Sequence, residues 1–208
     1  MVEMLTFVQG PIDANNYLLI DKETNDAILI DCSSPDDDYI NEIKKLGVNL
    51  KKILLTHGHF DHILGCNRFH DEFGSEIYVS QEDKEQISYA PQMTMMLGGV
   101  QIPEVTSVNN IVKDGDTFGI GDIVLTAIST PGHTKGGMCY LANDGKLFSG
   151  DTLFKRSVGR TDFVGGSFEQ IQNSVKEKLF KLPDETVVYC GHGPETTIGY
   201  EKQYNEIL

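Results

Sequence analysis

Seven residues, Thr56-His57-Gly58-His59-Phe60-Asp61-His62, constrain this chain more than any other stretch. They follow a short apolar run at 51–55 that reads as a buried strand, and they precede a helical pattern at 63–73 closed by Gly74. His57 and His59 are two apart, so an extended segment points both to the same side. Gly58 between them leaves the backbone room to turn. Asp61 and His62 fall at the helix start and aim at a second point nearby. Four nitrogen and oxygen donors this close together have the density of a metal site rather than of a solvated loop.

Further donors occupy matching surroundings. His133 sits in Thr130-Pro131-Gly132-His133-Thr134, just past a strand expected at 123–129. His192 sits in Cys190-Gly191-His192-Gly193-Pro194, past a strand expected at 186–190. Asp151 follows a hairpin strand in Ser149-Gly150-Asp151-Thr152. Each lies on a glycine-containing loop at a strand end, where rigid elements present side chains to a common point. His70 differs: it stands within a helical pattern beside Arg68 and Asp71 and reads as a surface or partly buried histidine.

His57, His59, Asp61, His62, His133, Asp151 and His192 exceed the roughly four ligands that one tetrahedral ion takes. Two ions sharing Asp151 use the whole set and leave space for a bridging water, the arrangement that lowers a water's pKa. Imidazole with carboxylate suits zinc, iron or manganese, with zinc the first expectation.

The remaining pattern is mixed α/β. Short strands are expected at 4–8, 16–20 and 27–30, then a helix after Ser33-Ser34-Pro35 whose face carries Ile40, Ile43 and Leu46. Strands follow at 107–112, 123–129, 138–141 and 146–148, the last two joined by the turn Asn143-Asp144-Gly145. Phe168, Ile171, Val175 and Leu179 form a helical stripe, and 195–208 reads as a terminal helix. Each half runs from strands to helices. The economical architecture is therefore a four-layer αββα sandwich filling residues 1–208 as one domain.

Seventeen Lys and Arg against 31 Asp and Glu leave a net charge of −14, which disfavours gripping nucleic acid or an anionic membrane. Four cysteines without a CxxC pair read as reduced, buried thiols. The N-terminus has no basic start followed by an apolar stretch, so a cytoplasmic location is expected. The uncharged span from Gln86 to Pro103, with Met93, Met95 and Met96, reads as an apolar wall or lid, or as core filler or an oligomer contact.

Together, Thr56-His57-x-His59-x-Asp61-His62, Pro131-Gly132-His133-Thr134, Gly150-Asp151-Thr152-Leu153-Phe154, Gly159-Arg160-Thr161-Asp162 and Gly191-His192-Gly193-Pro194 resemble the metallo-β-lactamase fold superfamily in order and spacing. Within it the chain is similar to short glyoxalase II-like (hydroxyacylglutathione hydrolase-like) enzymes. The resemblance implies an α/β, αββα sandwich with a dinuclear site on one edge. It implies that His57, His59 and His133 hold one divalent ion, that Asp61, His62 and His192 hold the other, and that Asp151 bridges. The implied reaction is hydrolysis of a small-molecule thioester such as S-lactoylglutathione by a metal-bound hydroxide, with Asp61 orienting the water. Arg160 matches a basic substrate-binding position; its alternative is an ion pair with Asp162. The chain ends shortly after the His192 motif, so the extra helical domain of full-length glyoxalase II is not expected. The competing reading is a persulfide dioxygenase of the same fold, with a single iron on two histidines and an aspartate; the His192 motif favours the dinuclear hydrolase.

Overall fold

Strand alternation builds the core from both sides. The computed structural model describes residues 1–88, 91 and 102–208. One sheet runs in the order β1 (Val2–Gln9), β2 (Ala14–Asp21), β3 (Asp26–Ile30), β4 (Asn49–Leu54), β5 (Glu76–Val79), β6 (Asn110–Ile111). Its first three strands pair antiparallel and the rest parallel. The second sheet contains β7 (Thr117–Ile120), β8 (Ile123–Ser129), β9 (Met138–Ala142), β10 (Lys146–Gly150), β13 (Val187–Cys190) and β14 (Thr196–Thr197), in the order β14-β13-β10-β9-β8-β7. A separate hairpin joins β11 (Leu153–Phe154) to β12 (Ser157–Val158).

Because successive side chains point to opposite faces, each central strand feeds two cores. Tyr17, Leu19, Ile28, Ile30 and Leu54 face the second sheet, where Leu125, Ala127, Tyr140 and Phe148 meet them. Their neighbours Leu18, Ile20, Leu29 and Ile53 face outward and are covered by Tyr39, Ile40 and Ile43 of α1 (Asp37–Lys45) and Phe69 of α3 (Cys66–Phe73). On the far side, Leu147 and Val188 pack beneath Ile171 and Val175 of α5 (Phe168–Glu177) and Ile198 of α6 (Ile198–Tyr204). The layers are therefore α, β, β, α, as the sequence pattern implies. Each fully buried Leu or Ile on these faces contributes about 1.5–3 kcal/mol of transfer free energy.

Several local expectations are corrected. The helix expected at 63–73 is two pieces, α2 (Phe60–Ile63) and α3. The break arises because Gly65 N–H donates to Cys32 O and the His62 carbonyl accepts from Cys32 N–H, so the backbone bonds across the fold at that turn. Ser34 does not cap α1. Its hydroxyl accepts from Asp36 N–H, and Asp36 holds the N-cap position. The strand expected at 107–112 shrinks to β6, and the one at 186–190 starts at Val187. Phe168 begins α5 but is exposed, so the buried stripe starts at Ile171. The terminal helix starts only at Ile198, because Thr196 and Thr197 first pair with Val188 and Val187. β5, β7 and α4 (Gln81–Ile87) had no counterpart in the sequence pattern. Met93, Met95 and Met96 lie outside the described residues. All four cysteines are free and buried. No described helix is long and apolar enough to cross a membrane.

Candidate metal centre

The C-terminal ends of β3, β4, β8, β10 and β13 reach one edge of the sandwich and deliver the polar cluster there. Asp31 follows β3, the His57–His62 segment follows β4, His133 follows β8, Asp151 follows β10 and His192 follows β13. All seven donors singled out in the sequence meet. Three overlapping triads, His57/His59/His133, His57/His62/Asp151 and Asp61/His62/His192, each place one donor atom per residue within 4.8 Å of the others. Ring centroids of His59 and His133 are 4.5 Å apart, and those of His57 and His62 are 4.2 Å apart. Six of the seven side chains are nearly fully buried, and His192 is one-quarter exposed.

Hydrogen bonds on the far side of each ring decide which nitrogen faces inward. His62 Nδ1 donates to Asp31 Oδ2 at 2.7 Å. His133 Nδ1 donates to the Arg160 carbonyl at 2.7 Å. The Thr56 hydroxyl donates to Asp31 Oδ2 at 2.8 Å and so accepts from His57 Nδ1 at 3.0 Å. His192 Nδ1 lies 3.3 Å from the Asp13 carbonyl. In all four rings Nε2 is therefore the nitrogen turned into the cluster. His62 Nε2 stands 3.2 Å from Asp61 Oδ2 and 3.5 Å from Asp151 Oδ1, and His192 Nε2 stands 3.1 Å from Asp61 Oδ2.

A cluster like this is costly without a cation. His57 Nε2 and Asp151 Oδ1 are buried and have no hydrogen-bond partner, although buried polar atoms are almost always paired. Burial, and then the neighbouring imidazoles, hold His57 well below the ordinary histidine range. Burial, and next His133, push His59 down to about 3. Both are thus neutral and ready to ligate at pH 7. Burial opposes charge on His62, yet Asp61, Asp31 and Asp151 outweigh it and raise its pKa. Burial likewise opposes the ionised form of Asp61, but His62 and His192 hold its carboxyl well below the carboxylate range. Orphaned donors, neutral imidazoles and paired carboxylates match the ligand chemistry of a divalent metal centre.

The cluster floors a cavity of about 610 Å³. Ile12, Phe60, Phe154, Val158 and Phe163 give it apolar walls, and Arg160 is the cation on its lining. Arg160 makes the two-pronged pair with Asp162, at 2.7 and 2.6 Å, that the sequence offered as its alternative role. Its guanidinium carbon also lies over the Phe163 ring, 4.0 Å from the centroid, so it remains on the cavity wall. His70 is exposed and apart from the cluster; it bonds the Ser75 carbonyl.

Residues 10–192 match the Metallo-beta-lactamase superfamily. The chain belongs to that family. Its relatives in the metallo-β-lactamase superfamily include the Bacillus subtilis "Probable metallo-hydrolase YqgX", 38% identical over 96% of this chain and 94% of the relative. The hydroxyacylglutathione hydrolase GloC of Haemophilus influenzae is 35% identical over 93% of this chain and 92% of its own. Among solved structures, the BLEG-1 B3 metallo-beta-lactamase superposes with a TM-score of 0.89 at 32% identity, covering 99% of this chain and 98% of that one. TTHA1623 in a di-iron-bound form gives 0.87 at 30% identity, covering 98% and 100%. As a member of this superfamily the chain is a hydrolase of the metal-dependent type.

Asp31 and Asn15 are among the supporting residues that escaped the sequence reading. Asp31 accepts from Thr56 N–H at 2.7 Å, from the Thr56 hydroxyl and from His62, while its own backbone adopts φ 60°. Asn15 donates to the carbonyls of Cys190 and Gly193 at 3.0 and 2.9 Å, gripping the loop that carries His192. Only the position of Asp31 directly after a strand could have singled it out. Gly191 is required by close approach: a Cβ there would lie 2.1 Å from Asp151 Oδ1.

Proposed function

We propose that this chain hydrolyses a thioester of a small thiol, of the S-lactoylglutathione type, with two divalent ions held by the seven-donor cluster. The observation that carries the reading is the juxtaposition of that cluster with an apolar cavity bearing a guanidinium on its wall. His57, His59 and His133 would hold one ion, Asp61, His62 and His192 the other, and Asp151 would serve both. Zinc suits this donor set; the di-iron form of TTHA1623 makes iron the competitor. When bound, the ions supply Lewis acidity, lowering a water's pKa and polarising a carbonyl.

The chain's own residues do the rest. Asp61, ionised at neutral pH, accepts a hydrogen bond from the attacking water and orients it. Phe60, Phe154 and Phe163 hold the acyl group and exclude bulk water. Arg160 meets an anionic group on the substrate. The water's oxygen bonds the acyl carbon as the acyl–sulfur bond breaks, the water's two protons pass to solvent, and the thiolate departs without a proton donor because thiols ionise near a pKa of about 8.5. A position of His192 within reach of Asp61 and Asp151 supports two ions over one, since it completes a second donor set.

The test is His59→Ala. It removes one imidazole from the first donor set while leaving the strand contacts of the fold. Hydrolysis of S-lactoylglutathione by the purified chain is expected to fall to background in the variant, with an unchanged circular dichroism spectrum. Full turnover in His59→Ala with metal still bound contradicts the assignment. Oxygen consumption on glutathione persulfide with one iron per chain would instead establish the dioxygenase reading.

A further inference from the structure

A buried carboxylate outside the cluster ties its two histidine loops together. Asp83, in the first turn of α4, has no exposed surface. Among the described residues no lysine or arginine pairs with it. Its carboxylate instead takes three donors from two distant loops. Oδ2 accepts from Gly58 N–H at 2.9 Å and from the Thr134 hydroxyl at 2.7 Å, and Oδ1 accepts from Gly136 N–H at 2.8 Å. Gly58 stands between His57 and His59, and Thr134 follows His133. The contact is close-packed as well as polar. A Cβ on Gly58 would lie 2.8 Å from the Asp83 carbonyl oxygen, and one on Gly136 would lie 1.9 Å from Ser80 Oγ.

We propose that Asp83 is the positioning residue for the three-imidazole site: by binding Gly58, Thr134 and Gly136 at once, it sets the distance between the His57-Gly58-His59 loop and the His133 loop. Those loops leave different sheets, β4 in one and β8 in the other, so strand pairing does not fix their separation at the tips. An ionised carboxylate is suited to the task because it accepts through both oxygens and donates through neither. The isosteric amide does not substitute. With three donors spread over both oxygens, an Asn side chain must turn its NH₂ toward at least one of them. Asp83 touches neither the substrate cavity nor a ligand ring, so its effect runs through the loops. The inference rests on the reading that His57, His59 and His133 bind a metal.

Cobalt(II) titration of the metal-stripped full chain, in competition with a chelator, tests it in two backgrounds. His192→Ala leaves the three-imidazole set intact, and His133→Ala leaves the Asp61/His62/His192 set intact. Asp83→Asn is expected to weaken cobalt binding by about 10–100-fold in the first background, the usual effect of losing an outer-shell partner. In the second background it should leave binding unchanged. Thr134→Val removes one of the three donors with little change of shape and should give a smaller loss confined to the same site. A purely structural role for Asp83 would lower both sites equally or lower neither, and either result overturns the proposal. If Asp83→Asn fails to fold, Thr134→Val decides: unchanged affinity in the His192→Ala background overturns it. If His192→Ala with Asp83 intact binds no cobalt, the metal reading itself fails, and the proposal falls with it.

Discussion

Replacing Asp31 by Asn would change which nitrogen of His62 carries the proton. The carboxylate holds Thr56 N–H on Oδ1, and on Oδ2 it holds both the Thr56 hydroxyl and His62 Nδ1–H. Asparagine tolerates the φ of 60° at this position, so the backbone survives. The amide has one acceptor, and two placements compete. If its oxygen stays with His62, its NH₂ faces Thr56 N–H and leaves that buried donor unsatisfied, at about 1–3 kcal/mol. If its oxygen takes Thr56 N–H, its NH₂ donates to His62 Nδ1 and to the Thr56 hydroxyl, which turns its own proton toward His57 Nδ1, so the hydrogen bonds are kept only by reversing the tautomers of both rings. The second arrangement wins, but it puts the His62 proton on Nε2, the nitrogen that faces Asp61 and Asp151, and through the Thr56 hydroxyl it moves the His57 proton to Nε2 as well. Ligation through Nε2 then requires reversing the tautomer and paying about 1–3 kcal/mol, equivalent to about 5–150-fold in affinity. Two-site zinc titration against a chelator should therefore show the sites that His62 and His57 serve weakened within that range, with turnover reduced in step. Wild-type affinity at both sites in D31N would refute the tautomer argument.

Other expectations follow from the same geometry. The pKa of His62 and His192 is raised in the metal-free protein, so both hold protons to higher pH than an ordinary histidine and must release them to ligate. Metal uptake near neutral pH should release protons and strengthen as pH rises, while His57 and His59, already neutral, add nothing. Calorimetry in buffers of different ionisation enthalpy reads this directly, and uptake without proton release contradicts it. Arg160→Ala should raise KM for an anionic thioester by up to about fivefold, the scale of an exposed charge contact, and leave a neutral thioester unaffected. Equal effects on both substrates would show that Arg160 acts through the Phe163 wall instead of through its charge.

The sequence carried the donors better than it carried their supports. His57, His59, Asp61 and His62 were legible because one strand–loop–helix presents them together, and the layer order followed from strand periodicity. His133, Asp151 and His192 were legible because each sits on a glycine loop after a strand. Asp31, Asn15 and Asp83 were not. Each works by bonding backbone or side-chain groups that lie far off along the chain, such as Thr56 for Asp31 and Gly136 for Asp83, and such pairings leave no local pattern. The same reason explains β14 and the late start of α6: Thr196 and Thr197 are drawn out of a helical pattern by Val187 and Val188. Arg160 is intermediate, since the Asp162 pair was readable from spacing but the stacking on Phe163 was not.

Metal content and reaction product from a single purified sample test the central claim most directly. Elemental analysis should find two divalent ions per chain, and the same sample should release lactate and free thiol from S-lactoylglutathione at a rate that falls to background on chelation and returns on reloading. One ion per chain, or thioester turnover that survives complete removal of metal, would contradict it.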